Sequence, residues 1–332
     1  MISVEHLTKY YGDFLAVDDL SFEIDEGHVY GFLGPNGAGK TTTMNIMTGC
    51  LSATDGSVKI DGYDIFEESY MAKKLIGYLP EQPPLYMSET PVEYLQFVGE
   101  AKGLRGEELQ RQIQEVIAQT KIENVKNRRI SALSKGYKQR VGIAQALLGN
   151  PRVIILDEPT VGLDPIQIIE IRDLIRELGE QHTVILSSHI LSEVQTICDQ
   201  ILIIAKGKLV AFDEPDHLEG QLLTPNEIVL TSDAEVMEVK AILSQVTRIT
   251  EAAVTEENNF SVANIKTDSD DIYKVSREIF LAFAKAEKVL LEMTLKKVSL
   301  EDIFIELTEG GQRESARMSS GDEETDESEV SD

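Results

Sequence analysis

Along the first two hundred or so positions, apolar residues fall into short unbroken runs separated by amphipathic stretches, the alternation of an α/β domain. His28–Leu33 reads as a buried strand, followed by a glycine-rich turn and a helix through Thr41–Thr48. Arg152–Leu156 and Thr183–Leu186 read as two more buried strands, with an amphipathic helix over Ile166–Leu178 between them. Positions 91–129 break this rhythm with longer helical patterns, Pro91–Lys102 and Glu107–Lys121, so a helical subdomain is expected at about 84–150. A strand at Ile201–Ala205 and the hairpin Lys206-Gly207-Lys208 close the first domain, 1–215, and Asp213-Glu214-Pro215 breaks the pattern.

Beyond an expected linker at 216–226 the period changes. Strand, helix, strand, strand, helix, strand follow in turn over Glu227–Thr231, Ala234–Leu243, Arg248–Val254, Phe260–Ile265, Asp270–Lys285 and Lys288–Thr294. This β-α-β-β-α-β order predicts a small ferredoxin-like α+β module at 227–308. A last amphipathic helix is expected over Ser299–Leu307, with Ser299 as N-cap and Asp302 at the third helical position. Residues 309–332 are mostly Ser, Glu and Asp with almost nothing to bury, which predicts a disordered acidic tail. No internal repeat is present.

Composition narrows the classes. A length of 332 residues suits about two domains. No run approaches the ~18 apolar residues of a membrane-spanning helix, and the first residues carry neither a basic nor an apolar leader pattern. Cys50 and Cys198 form no disulfide framework and have no metal-ligand spacing, as expected of a reducing compartment. The net charge of −27 is spread along the chain, −11 over 1–215, −10 over 216–309 and −6 over 310–332. Such a field repels nucleic acid and anionic headgroups, so no nucleic-acid partner is expected. The seven cations of Lys121–Arg140 fit a solvated face of the helical subdomain.

Gly34-Pro35-Asn36-Gly37-Ala38-Gly39-Lys40-Thr41 carries the spacing of a phosphate loop, and the phosphate-binding set extends to Thr42. Its glycines let backbone amides converge on a polyphosphate, and the helix that follows points its positive end there. Lys40 reaches the β- and γ-phosphates, and the Thr41 hydroxyl is placed as a Mg²⁺ ligand. Val153-Ile154-Ile155-Leu156-Asp157-Glu158 is a buried strand that delivers two carboxylates at its end. In a phosphate-binding sheet the first, Asp157, serves the metal, and Glu158 is free to polarise an attacking water.

Between these motifs lies Leu133-Ser134-Lys135-Gly136-Tyr137-Lys138-Gln139-Arg140, which resembles the Leu-Ser-Gly-Gly-Gln signature of ABC ATPases. Other motifs fall into that family's order across residues 1 to about 215. The resemblance implies an α/β P-loop ABC ATPase core with a helical subdomain, binding ATP and Mg²⁺. It implies that Tyr11 stacks on adenine, that Gln82 belongs to the glutamine loop and serves metal and catalysis, and that Gly162-Leu163-Asp164 is the D-loop. It also makes His189 the switch histidine. Two such domains pack head to tail, so Ser134 and the Gly136 amide cap the γ-phosphate of the other copy. Lys135 and Tyr137 depart from the pattern: Tyr137 removes a carboxamide, whereas Lys135 matters little if it points outward. The module at 227–308 resembles, more weakly, a domain appended to prokaryotic export-type members.

The implied function is ATP hydrolysis that powers transport, in the export direction, through a separate membrane permease. The implied location is the cytoplasmic face of the membrane, with the segment Gln82–Met87 receiving the permease. Soluble members acting on ribosomes or DNA carry two ATPase domains or long coiled coils, and this chain has one phosphate loop and the opposite charge. A GTPase would carry an Asn-Lys-x-Asp motif, which is absent, and neither a GTPase nor a small-molecule kinase explains Ser134-Lys135-Gly136 or His189.

Overall fold

A computed structural model describes residues 2–221, 226–258, 260–267, 269 and 271–296. They form two compact units that divide between Pro215 and Asp216. In chain order the first unit contains β1 (Ile2–Tyr11), β2 (Phe14–Ile24), β3 (Val29–Leu33), α1 (Lys40–Met47), β4 (Asp55–Ile60), β5 (Tyr63–Asp64), α2 (Ser69–Lys74) and β6 (Ile76–Leu79). There follow α3 (Pro91–Ala101), α4 (Gly106–Gln119), α5 (Lys135–Leu147), β7 (Val153–Leu156), α6 (Pro165–Gly179), β8 (Thr183–Ser188), α7 (Leu191–Ile197), β9 (Gln200–Ala205) and β10 (Lys208–Asp213).

The first unit is built on two sheets. One has the order β2-β1-β4-β5 and is antiparallel; the other runs β10-β9-β3-β8-β7-β6. In the second sheet β9, β3, β8, β7 and β6 are parallel and only the edge hairpin β9–β10 reverses. Every residue of β3, β7 and β8 is buried. Unbroken apolar runs are what strands covered on both faces require. Phe32, Ile155, Ile185 and Leu202 of this sheet share one core with Leu7, Leu20 and Ile60 of the other and with Met44 and Met47 of α1. The strands β3, β7 and β8 therefore enter one crevice at their carboxyl ends, where α/β sheets bind ligands.

The helical insertion starts cleanly. Thr90 N-caps α3 and exchanges hydrogen bonds with Glu93 in a full capping box, with Pro91 at the first helical position. Helix α4 buries Leu109, Ile113, Val116 and Ile117 at 3.6-residue spacing.

The segment expected as a plain linker carries a helix, α8 (Pro215–Gln221), and the next strand already begins at Asn226. The second unit then contains β11 (Asn226–Ser232), α9 (Val236–Leu243), β12 (Ile249–Glu257), β13 (Phe260–Thr267), α10 (Ile272–Lys285) and β14 (Leu290–Lys296). Its sheet is antiparallel in the order β12-β13-β11-β14. Ile228, Leu230 and Ile265 of the sheet pack on Val239 and Ile242 of α9 and on Val275, Ile279 and Phe283 of α10. The helix expected at Ser299–Leu307 and the acidic tail lie outside the described residues.

Candidate active site

The loop after β3 owes its course to glycine. Gly39, the N-cap of α1, has φ of +106°, and a Cβ there would lie 2.7 Å from the Ala16 carbonyl oxygen. A side chain is excluded on both counts. The loop residues Asn36 to Thr42 line a cleft of about 380 Å³, together with Tyr11, Phe14, Glu81, Glu158 and His189.

Lys40 is only 6% exposed. Its ammonium donates to the carbonyls of Gly34 at 2.7 Å and Pro35 at 3.3 Å, and stands 3.7 Å from Glu158 Oε1. Burial pushes its pKa down, while the carboxylates of Glu158, Asp157 and Glu81 pull it back up. The lysine is thus a charge held by carbonyls and acids at the place where a polyphosphate would add to the negative partners.

Glu158 directly follows Asp157 at the end of β7, and its backbone has φ of +49°, rare for a residue with a Cβ. The turn separates the two carboxylates. Glu158 is 8% exposed, with one oxygen facing Lys40 and the other, Oε2, 3.0 Å from His189 Nδ1. His189 directly follows β8 and its side chain is 40% exposed at the cleft. A carboxylate between an ammonium and an imidazole can hold a water and take its proton.

The chemistry expected of magnesium has a place. Asp157 is 1% exposed, and its Oδ1 accepts from Ser187 Oγ at 2.6 Å and from Thr41 Oγ1 at 3.4 Å. Its Oδ2 is buried and has no hydrogen-bond partner. An orphaned buried carboxylate oxygen is costly. Beside the Thr41 hydroxyl, it fits a hard divalent ion that takes few protein ligands and completes its shell with phosphate and water.

Tyr11 ends β1 and faces Phe14 of β2 across the tight turn. Both rings line the cleft, 48% and 63% exposed, and Lys9 lies over the Tyr11 ring at 5.4 Å. These two exposed aromatics offer ring faces on which a planar group could stack. Gln82 is exposed and is not among the residues lining the cleft; its neighbour Glu81 is.

Ser134 and Gly136 lie elsewhere on the unit. Ser134 N-caps α5, its Oγ accepting from the Tyr137 amide at 3.4 Å. With Gly136, Tyr137, Arg140, Asp164 and Gln167 it lines a separate recess. Tyr137 is tied locally, its hydroxyl accepting from Asn124 Nδ2 at 2.9 Å, and the Lys135 ammonium rests against Gly162.

One chain therefore unites Tyr11, the phosphate loop, Asp157, Glu158 and His189, and leaves Ser134, Gly136 and Gln82 apart from them. Sequence reasoning missed Glu81, Phe14 and Ser187. For Glu81 the available signal was its place directly after Leu79-Pro80, at the carboxyl end of the parallel edge strand β6.

Comparison with known proteins adds the family. A family model described as "ABC transporter" matches residues 17–161. Over 218 residues the chain is 42% identical to the uncharacterized ABC transporter ATP-binding protein MJ1023 of Methanocaldococcus jannaschii, covering 65% of this chain and 79% of that one. It is 34% identical to the bacitracin transport ATP-binding protein BcrA of Bacillus licheniformis, covering 94% of this chain and 98% of the relative. Among solved structures, the dimeric post-hydrolysis state of the ATP-binding cassette MJ0796 bound to ADP and Pi matches with a TM-score of 0.59 at 27% identity, over 64% of this chain and 98% of that one. With this fold, this cleft and these likenesses, the chain belongs to the family of ABC transporter ATP-binding proteins and is an ATP-hydrolysing transporter subunit.

Proposed function

We propose that two copies of this chain close head to tail over ATP and Mg²⁺, and that closing and hydrolytic reopening drive a separate membrane permease that exports its cargo. One observation carries the shared site: the phosphate cleft and the Ser134–Gly136 recess are two separate surfaces of the same unit. Each is half of what γ-phosphate chemistry needs, and a two-fold pairing brings unlike halves together twice.

In this reading Tyr11 stacks on adenine, and the loop from Gly34 to Thr42 cradles the phosphates. Thr41 and Asp157 hold the metal, which neutralises charge developing on the phosphate oxygens. Of the neighbouring pair Glu81 and Gln82, we assign the cleft-facing role to Glu81, because it lines the cleft and acts on Lys40. Glu158 orients the attacking water and His189 clamps the γ-phosphate. Ser134 and the Gly136 amide complete the other copy's site.

No helix among the described residues is long and apolar enough to cross a membrane. A role on the cytoplasmic face beside a separate membrane subunit accords with that. Likeness over 94% of the chain to a protein named for bacitracin transport supports a transport role. For the permease contact we assign the segment after Pro84. Tyr86 and Met87 are each 48% exposed and Phe97 is 51% exposed. The Tyr86 ring stands 5.1 Å from that of Phe97 and 5.7 Å from that of Tyr94, so the patch is preformed, and Leu85 next to Tyr86 in the chain is half-buried. A preformed exposed apolar patch suits a partner helix.

Tyr86→Asp and Leu85→Asp should weaken co-purification of the membrane subunit and uncouple transport, with ATP binding by the isolated chain unchanged. Retained pull-down together with full transport by both variants moves the docking surface elsewhere.

A further inference from the structure

One buried carboxylate stands outside the roles assigned above. Glu193, in α7, is 4% exposed. Its Oε2 accepts from Thr160 Oγ1 at 2.6 Å and from Ser188 Oγ at 3.3 Å. Its Oε1 lies 3.7 Å from NH2 of Arg172 in α6, whose Nε is buried without a partner. A charge held this deep is retained only with strong local partners. Neither Glu193 nor Thr160 lines the nucleotide cleft.

The significance lies in what those partners carry. Thr160 is two residues past Glu158, and Ser188 immediately precedes His189. The loop after β7 and the end of β8 are already joined on one side, where Ser187 Oγ accepts from the Glu158 amide at 2.8 Å and donates to Asp157. Glu193 joins them a second time through a single oxygen. Glu158 sits at φ of +49°, a conformation that persists only where its surroundings impose it. Helix α6, which contributes Arg172, is N-capped by Asp164 at the end of Gly162-Leu163-Asp164.

We propose that Glu193 is a positioning residue, a brace that sets the Glu158–His189 separation by holding Thr160 and Ser188 on one carboxylate oxygen. The inference rests on the reading of Glu158 and His189 as the hydrolytic pair. Glu193 lies outside the lining of the nucleotide cleft. Its effect is on the geometry of the groups that form that lining.

The test uses steady-state ATPase kinetics of the full chain with a separate nucleotide-binding assay. Thr160→Ala removes the donor and leaves Glu193 paired with Arg172. Displacement of a catalytic group by about 1 Å costs up to ~100-fold, so kcat should fall on the order of ten-fold or more. ATP affinity should stay within about two-fold, since the cleft lining is intact. Thr160→Ser restores the hydroxyl and should recover most of the rate. In a His189→Ala background, Thr160→Ala should cost little more, because the separation it protects no longer matters.

Unchanged kcat in Thr160→Ala while His189→Ala is slow overturns the brace alone. Full multiplication of the two losses, or no rescue by Ser, overturns it as well and leaves Thr160 a structural residue. Wild-type turnover by His189→Ala overturns the reading of the pair, and the brace falls with it.

Discussion

Ser187 is fully buried at the end of β8, and its one hydroxyl bridges the Asp157 carboxylate and the backbone amide of Glu158. It donates to Asp157 Oδ1 at 2.6 Å and accepts from the Glu158 amide at 2.8 Å. Ser187→Ala deletes both bonds and introduces no bulk. A hydrogen bond to a charged group contributes about 1.5–3 kcal/mol, and a buried amide left without an acceptor costs about 1–3 kcal/mol. The two overlap, since a water can enter the vacated space, so about 3 kcal/mol is expected for the unit that holds the site. At roughly 2–4 °C per kcal/mol for 150–250 residues, its thermal midpoint should drop by roughly 6–12 °C. If Asp157 holds the metal as proposed, bound Mg-ATP supplies the partner that the variant lacks, the variant gains more from the ligand than wild type does, and the loss should shrink at high Mg-ATP. Calorimetry with and without Mg-ATP reads both effects. A shift below about 1 °C without nucleotide refutes the argument that this hydroxyl is what makes the buried Asp157 carboxylate and Glu158 amide tolerable.

Two further outcomes follow from burial and pairing. Burial pushes the Cys198 thiol pKa well up, whereas Cys50 is exposed; a thiol reagent at neutral pH should modify one cysteine in the native protein and two in denaturant, and two fast reactions contradict the packing of α7 on β3. The side-chain hydrogen bond from His6 Nδ1 to Asp19, 2.8 Å long, raises the imidazole pKa above 6.5. Because the folded value is the higher, the stabilisation is complete below pH 6.5 and fades as pH rises through the raised value. An NMR titration should place His6 above 6.5, and Asp19→Asn should return it.

The sequence made some of this legible for identifiable reasons. The phosphate loop could be read because it combines glycines of fixed spacing, a lysine and a flanking strand and helix, and β7 and β8 because a strand buried on both faces leaves an unbroken apolar run. Helices α3 and α4 showed their 3.6-residue period, and their ends fall within two residues of expectation. The sheet β2-β1-β4-β5 was opaque. Strand β1 changes register between Val4 and Leu7 and again before Lys9, so its alternation of buried and exposed residues is smeared.

The site shows the same divide. Motif order located the turn after β6 but not which side chain enters the cleft, and the structure separates Glu81 from Gln82 by one residue of turn geometry. Ser187 and Glu193 carry no pattern at all. A serine at the end of an apolar strand and a glutamate in a short amphipathic helix both read as ordinary, and only packing shows each as a shared partner of two loops.

The central claim is that ATP completes its site between two copies. The most direct measurement is the solution mass of Glu158→Gln, which keeps the cleft's shape and removes the carboxylate proposed as the base. With Mg-ATP the variant should sediment as a dimer and without nucleotide as a monomer, and adding Ser134→Arg should abolish the dimer while ATP still binds. A Glu158→Gln chain that remains monomeric with ATP bound, or a Ser134→Arg chain that dimerises and hydrolyses ATP normally, contradicts the shared site.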